Sequence, residues 1–330
     1  MYLRNTFLRL FFTLICLSAF VFVSCSEDLS DSDPMPEEQG ANENPDENPA
    51  PEDNTARLAA KQLYEDFYLP SSSTSSDSPW TGDEPSCNPG SIPATTKDKI
   101  LMRLDYYRKA VGLNNTITEN PDKSTKAQEA ALMMNSNNAL DHFPPNTWKC
   151  YTPDGDEAAG KSLLALTRNA EAINAYIRDQ GSNNGPVGHR RWLLWPRLQE
   201  IGIGNTDRSN AIWVIGNAGS VPADNPEFIA WPPQGYVPNS LAFPRWSFSL
   251  ADADFTATTV SMTDQNGGAI ALSLEPLNSD FGDLTIVWVP QGISTTDTAD
   301  TTYTVTLENV VLNGVPNTFT YNVILFDPNG

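Results

Sequence analysis

The chain contains two histidines, His142 and His189, and they are the first candidates for a chemical role. A histidine is suited to general acid–base work, since its unperturbed pKa of about 6.5 lies near neutral pH. The two residues are 47 positions apart, so they are not a local metal motif of two histidines one helical turn apart. If the fold does not bring them together, His142 is a helix-terminal residue that interacts with the helix dipole and His189 is a hydrogen-bonded core residue.

A second candidate is the segment from Gly155 to Ser162, whose residues fit the spacing of a phosphate-binding P-loop. Such a loop must follow a buried strand, and residues 150–154 do not have a strand pattern. Two acidic residues inside the segment would also repel phosphate, so we predict no nucleotide. Ser162 with a histidine and Asp179 can be drawn as a catalytic triad, but the sequence has no Gly-x-Ser-x-Gly elbow.

The elements that must position these residues are mainly helical before residue 220. An apolar stripe at helical spacing predicts a first helix, which Gly112 ends. The stripe consists of Ile100, Leu104, Tyr107 and Val111. A second helix is expected to start near Thr125 and to stop by Phe143, because two prolines follow. A third helix and two strands are predicted at residues 169–178, 200–204 and 211–215.

Beyond Trp231-Pro232-Pro233 the pattern changes to short strands separated by turn residues. Strands are predicted at residues 246–250, 257–262, 269–274, 284–289, 302–307 and 318–326. Their spacing is typical of an antiparallel sandwich. With this change of pattern, the length predicts two domains, at residues 58–219 (core 95–219) and 220–330.

The N-terminus predicts export from the cytoplasm. Positive charge at Arg4 and Arg9 precedes an apolar run from Leu10 to Val23, which is typical of a signal peptide over residues 1–24. The run ends at Cys25 in a sequence that resembles a lipobox, so we expect cleavage there and a lipid on Cys25 that anchors the protein to a membrane. Ordinary cleavage with a free Cys25 is the alternative.

Residues 25–57 are predicted to form an acidic disordered tether. The stretch from Ser26 to Ala56 contains eleven Asp or Glu residues and no Lys or Arg, and it lacks the apolar side chains that offset the entropy of ordering. Acidic residues directly after a lipidated cysteine resemble a surface-export signal, so we expect an outer-membrane lipoprotein at the cell surface. The net charge of −21 and the absence of a basic stripe argue against nucleic-acid binding.

Cys87 and Cys150 remain once the signal peptide takes Cys16 and the lipid takes Cys25. In an oxidising compartment the natural interpretation is one disulfide between them, with two free thiols as the alternative.

The order of several motifs resembles the CAP superfamily, which comprises cysteine-rich secretory, antigen 5 and pathogenesis-related proteins. The matching residues, in chain order, are Tyr107-Arg108, Gly112-Leu113, His142 and Gly188-His189. The stretch 183–192 and Cys87 look like a bacterial branch of the family. The resemblance covers about residues 80–219. The predicted fold class is therefore α+β, a CAP-like α-β-α sandwich followed by a C-terminal antiparallel β-sandwich of the Ig-like kind.

The resemblance also implies a central cleft with two histidines and two acidic residues, which in some members of the family binds a divalent metal such as zinc. The residues of this sequence implied for the cleft are His142, His189, Asp179, Glu157 and Arg190, with the two histidines as metal ligands. Asp179 matches the second acidic position of the family, ten residues before His189.

The sequence departs from the family at two places. The family's Gly-Glu-Asn corresponds to Gly160-Lys161-Ser162 here, which puts a cation where an acid is expected and leaves Glu157 as the substitute. Arg190 and Arg191 follow His189, and two arginines near a site would oppose a metal cation and favour an anionic ligand.

The expected function is that of a surface-anchored extracellular binding protein whose ligand is a protein, a lipid or an anionic small molecule. A binding role is favoured over turnover because the acidic pair is incomplete. The alternative is a His-dependent hydrolase or peptidase of the cell envelope, with or without a metal, for which His142, His189 and Asp179 are the catalytic candidates. A purely structural envelope protein is a third hypothesis.

Overall fold

A computed structural model of the protein describes residues 54–74, 76, 79–216 and 218–330. The predicted signal peptide at 1–24, the lipidation site Cys25 and almost all of the predicted tether at 25–57 lie outside the described residues and stay predictions. Residues 52–330 are assigned to a single compact unit, and the predicted boundary at residue 220 stays a prediction. Within the described ranges, no helix is long and apolar enough to cross a membrane.

The α-helices of the described residues all begin before residue 194. They are α1 (Thr55–Leu63), α2 (Ala94–Ala110), α3 (Pro121–Asn137), α4 (Pro153–Ala159), α5 (Ala170–Arg178) and α6 (Gly188–Leu193). One π-helical turn, Tyr64–Tyr68, continues α1. Helix α1 begins inside the last three residues of the predicted tether.

The strands fall into two groups along the chain. The first group is β1 (Thr118–Glu119), β2 (Ser162–Ala165), β3 (Glu200–Asn205) and β4 (Asn210–Trp213). The second group is β5 (Ile229–Trp231), β6 (Gly235–Pro238), β7 (Trp246–Ser249), β8 (Ala253–Asp254), β9 (Thr259–Asp264), β10 (Leu272–Leu274), β11 (Thr285–Pro290), β12 (Thr301–Leu312) and β13 (Val315–Phe326).

The first group forms one sheet in the order β1-β3-β4-β2, in which β1 and β3 are parallel and the other pairs antiparallel. Strand residues alternate between the two faces of a sheet. Accordingly, Ala211 and Trp213 of β4 pack with α3 on one face, while Ile212 between them packs with α2 and α5 on the other. The sheet is therefore covered by helices on both faces, as the predicted α-β-α sandwich requires.

Helix α3 lies unusually close to β3 because that strand carries glycines at the contact. A Cβ atom on Gly204 would overlap the backbone of Ala127, and one on Gly202 would lie 2.6 Å from the backbone carbon of Lys123. The side chain of Gln128 completes the contact by accepting from the backbone N–H of Asn205 and donating to its carbonyl, both at 3.0 Å. The two elements thus meet backbone to backbone, which leaves no space for larger residues.

The second group forms a strand-rich region of two sheets consistent with a β-sandwich. One sheet has the order β10-β11-β7-β5 and is antiparallel throughout. The other has the order β6-β13-β12-β8, with β9 also paired to β12. Phe248 of the first sheet packs against Phe319 and Tyr321 of the second. The buried ring of Trp231 in β5 contacts Tyr107 of α2, so the strand-rich region also packs on the helical region.

The contacts confirm one prediction about local structure and correct another. The predicted disulfide between Cys87 and Cys150 is confirmed. The second helix does not start near Thr125, because the Asn120 side chain accepts hydrogen bonds from the backbone N–H groups of Asp122 and Lys123 and caps a helix that begins at Pro121. That helix ends at Asn137, so His142 lies in the loop that follows it and is not a helix-terminal residue.

Candidate functional site

Both histidines line one cavity of about 440 Å³. We call it the His cavity. Its walls come from the loop after α3, the start of β2, helix α6 with the residues before it, and the loop between β10 and β11. The fold therefore brings together His142 and His189, which are 47 positions apart in the sequence.

His189 is held by Asp179, a buried residue whose side chain is fully shielded from solvent. One carboxylate oxygen of Asp179 accepts from Nδ1 of His189 at 2.8 Å, and the other accepts from its backbone N–H at 2.9 Å. Asp179 ends α5 in the left-handed conformation, with φ of 49°, and this turn aims its carboxylate at the first turn of α6. Since a carboxylate only accepts, Nδ1 of the imidazole donates, and in the neutral ring Nε2 then has a lone pair.

His142 is held in a similar way by a backbone group. Its Nδ1 lies 2.9 Å from the carbonyl oxygen of Ala159, the last residue of α4. A carbonyl oxygen also only accepts, so Nδ1 of His142 donates, and in the neutral ring Nε2 has a lone pair. The partner of His142 is therefore the end of a short helix, and not the carboxylate that the family pattern led us to expect.

The remaining walls of the His cavity are largely apolar. Phe143, Trp192, Phe281, Leu163, Ile215 and Pro186 contribute the apolar surface. Ser162 also lines the cavity, and its hydroxyl is buried and has no hydrogen-bond partner within the described residues. Among the described residues that line the cavity, none is Asp, Glu, Lys or Arg.

Arg190 does not line the His cavity, although the sequence placed it there. It is almost fully buried, and it donates from Nε to the carbonyl of Ile177 at 2.6 Å and from Nη1 to the hydroxyl of Ser247 at 2.9 Å. Burial lowers the pKa of Arg190 to about 9, which still leaves it charged at neutral pH. Its neighbour Arg191 donates to the carbonyls of Asn278 and Asp283, both at 2.9 Å. Both arginines hold backbone and side chains of the strand-rich region instead of facing a ligand.

Glu157 is also placed elsewhere. It accepts hydrogen bonds from Lys126 and Lys161, which lower its pKa to about 2. Lys161 in addition lies over the ring of Trp213, 5.0 Å from its centroid. The cation that replaces the family's acid is thus engaged outside the cavity, and so is the acid expected to substitute for it.

The residues at the cavity do not fit a metal centre. The two histidines have the geometry that metal ligands usually have, since each is fixed through Nδ1 and has Nε2 free. A catalytic zinc, however, is commonly held by three protein ligands and a structural zinc by four. Within the described residues, no group of three or more His, Cys, Asp and Glu side chains is gathered that could hold a metal ion.

Two residues of the cavity could not have been predicted from the motifs. Asn278 and Phe281 come from the loop between β10 and β11, far along the chain from both histidines. Only Gly188, on which Phe281 packs, gives any local signal, because a glycine often marks the close approach of another group.

Comparison with known proteins agrees with this architecture. Residues 101–215 match the family model described as the cysteine-rich secretory protein family, CAP. That stretch contains most of α2, all of α3 to α6, β1 to β4 and both histidines. No curated protein matches the sequence significantly. The family match and the α-β-α arrangement together identify residues 101–215 as a CAP domain.

Proposed function

We propose that this protein is an extracellular binding protein whose His cavity takes an uncharged organic ligand with an apolar part and at least one hydrogen-bond donor. The observation that carries the proposal is the pair of imidazoles whose Nδ1 atoms are already bonded, in a cavity to which no described Asp, Glu, Lys or Arg contributes. CAP domains are typically extracellular and generally suggest a binding or signalling role.

The polar groups of the cavity define what the ligand must offer. The two Nε2 atoms are acceptors in the neutral rings, so they favour a ligand that donates, such as an alcohol or an amide. A small number of placed polar groups in a mostly apolar wall is typical of small-molecule sites.

The absence of charged walls among the described residues argues against one of the ligand classes expected from the sequence. An anionic small molecule was expected because of Arg190 and Arg191, but both side chains bond other parts of the protein. A charged ligand would then be buried without a partner, which is costly. Lipids and segments of protein remain compatible, provided that the part inside the cavity is uncharged.

Attachment to the outer surface of the cell is part of the proposal. It rests on the signal peptide, the lipid expected on Cys25 and the acidic residues that follow it. Labelled palmitate should be incorporated into the wild-type protein and not into a Cys25→Ala variant. Incorporation into both variants would refute lipidation at this residue.

The ligand class can be tested with two matched fluorescent probes. N-phenyl-1-naphthylamine is uncharged, apolar and carries one N–H donor, and 8-anilinonaphthalene-1-sulfonate has the same rings with an added sulfonate. We expect the mature protein to bind the uncharged probe and to discriminate against the sulfonate. A His142→Ala/His189→Ala double variant should bind the uncharged probe about fivefold or more weakly, because a typical hydrogen bond contributes about 1 kcal/mol. Preference for the sulfonate would refute the proposal.

A hydrolase remains the second candidate, and one observation favours it. The buried carboxylate of Asp179 fixes the proton of His189 on Nδ1 and leaves Nε2 as a general base, as in the base and carboxylate of a catalytic triad. The test is hydrolysis of a 4-nitrophenyl ester by the wild type and by His189→Ala and Asp179→Asn variants. Turnover that survives both changes would exclude this site as the cause.

A further inference from the structure

The loop between β10 and β11, residues 275–284, belongs to the strand-rich region but reaches the CAP domain. Its residues Asn278 and Phe281 line the His cavity beside His189 and Trp192. The cavity is therefore built from both regions of the protein, and its chemistry depends on a loop outside the CAP family match.

Phe281 is set against the backbone that carries His189. A methyl group on Gly188 would lie 3.0 Å from two carbon atoms of the Phe281 ring, which is closer than ordinary van der Waals contact. The ring thus occupies the space that a side chain at position 188 would fill. Gly188 directly precedes His189, and Phe281 and His189 both line the cavity.

Arg191 holds this loop on the CAP domain. Its guanidinium donates to the carbonyls of Asn278 and Asp283, one before and one after Phe281, and lies 5.5 Å from the centroid of the Phe281 ring. The indole N–H of Trp195 adds a hydrogen bond of 2.9 Å to the side chain of Asp283. Hydrogen bonds on both sides of Phe281 restrict the positions that its ring can adopt.

Arg245 links the start of the same loop to the residue that orients His189. It donates from Nε to Glu275 at 2.9 Å and from Nη1 to the backbone carbonyl of Asp179 at 2.7 Å. The carboxylate of Asp179 in turn accepts from His189. The loop and the imidazole are therefore positioned by one connected set of hydrogen bonds. This set restricts the position of the loop that carries Phe281 relative to His189.

We propose that Phe281 is a specificity-determining residue of the His cavity, and that its ring sets the size and the apolar character of the ligand that reaches His189. This inference rests on the proposed binding function and extends it, since it assigns the choice of ligand to the strand-rich region. Leu277, in the same loop, is 49 % exposed and lines a different surface depression. It provides a matched control, because it shares the loop but does not line the cavity.

The first readout needs no ligand. Diethyl pyrocarbonate is a small uncharged reagent that modifies neutral imidazoles, and the chain has only two. His142 is exposed, whereas the side chain of His189 is 22 % exposed, so His142 serves as the internal reference in peptide mapping by mass spectrometry. Phe281→Ala in the full mature chain should raise the modification rate of His189 relative to His142 severalfold, and Phe281→Leu should raise it less. Leu277→Ala should leave the ratio unchanged.

The second readout is titration of the same variants with N-phenyl-1-naphthylamine. Phe281→Ala should weaken binding about tenfold, the effect of truncating a well-packed aromatic contact, and Leu277→Ala should not. Circular dichroism of each variant excludes unfolding, and Phe281→Leu keeps the test valid if the alanine variant is unstable. An unchanged ratio of histidine modification in both Phe281 variants would overturn the inference. If the wild type does not bind the probe but the ratio rises as expected, the proposed ligand class fails and the role of Phe281 in access to His189 is retained.

Discussion

Replacing Asp179 with Asn tests whether a buried carboxylate holds the site together. In the wild type its two oxygens accept from the ring and the backbone of His189, and hydrogen bonds to charged groups contribute about 1.5–3 kcal/mol each. An Asn side chain keeps one accepting oxygen and turns an NH₂ group towards the other donor, so one of the two bonds is lost. The negative charge that partly offsets the buried guanidinium of Arg190 disappears as well.

We therefore expect Asp179→Asn to lower the free energy of unfolding by about 3 kcal/mol, the upper end for one bond to a charged group. Urea denaturation followed by tryptophan fluorescence measures this change. Glu157→Gln is the control, because Glu157 is an acidic residue of the same domain that lies at the surface, and its removal should change stability little.

Nuclear magnetic resonance of the imidazole nitrogens gives a second readout, simplified because the chain has two histidines. In Asp179→Asn the nitrogen signals of His189 should shift because its ring loses a carboxylate partner, while the signals of His142, which bonds a backbone carbonyl, should stay as they are. A change in unfolding free energy below about 0.5 kcal/mol, within the range of an ordinary surface substitution, together with unaltered signals of His189, would refute this account of the site.

Other changes test the surrounding structure. Replacing Cys87 and Cys150 by Ser should cost about 4 kcal/mol in urea denaturation, because the disulfide closes a long loop in the unfolded chain. Gly204→Ala should lower the free energy of unfolding by at least about 3 kcal/mol, since the new methyl overlaps the backbone of α3; a fully stable variant would contradict the close contact. Burial raises the pKa of Asp283. The free energy of unfolding therefore falls as the pH rises from the ordinary pKa of an aspartate through this raised pKa. Asp283→Asn, which keeps an acceptor for Trp195, should therefore raise the melting temperature at pH 7 and flatten its fall with pH.

Long periodic elements were predicted well from the sequence because their signals are local. The apolar stripe that ends at Gly112 corresponds to α2, and the predicted strand at 200–204 corresponds to β3. The start of α3 was misplaced because Thr125 looked like a cap, while the side chain of Asn120 makes the actual cap one turn earlier. Strand β2 was missed because four buried residues after a helix carry no alternating pattern.

The candidate site was predicted in part. The order of motifs implied that His142, His189 and Asp179 belong together, and the fold places the two histidines in one cavity with Asp179 bonded to His189. Arg190 and Glu157 were misplaced because a sequence shows the charge of a residue but not the partners that its side chain reaches. That the cavity residues bind a ligand stays a prediction.

Arginines at positions 190, 191 and 245 form hydrogen bonds between the CAP domain and the strand-rich region. These bonds bear on whether the CAP domain can fold when it is separated from the rest of the protein. Arg190 and Arg191 lie inside the family match at 101–215, but their partners Ser247, Asn278 and Asp283 do not. A fragment cut at residue 215 would remove both carbonyl acceptors of Arg191 and leave Arg190 with the carbonyl of Ile177 but without Ser247, and lost hydrogen bonds of charged groups cost about 1.5–3 kcal/mol each. Grafts and truncations should therefore extend at least through residue 284, because the recognisable module ends before the structure on which it depends.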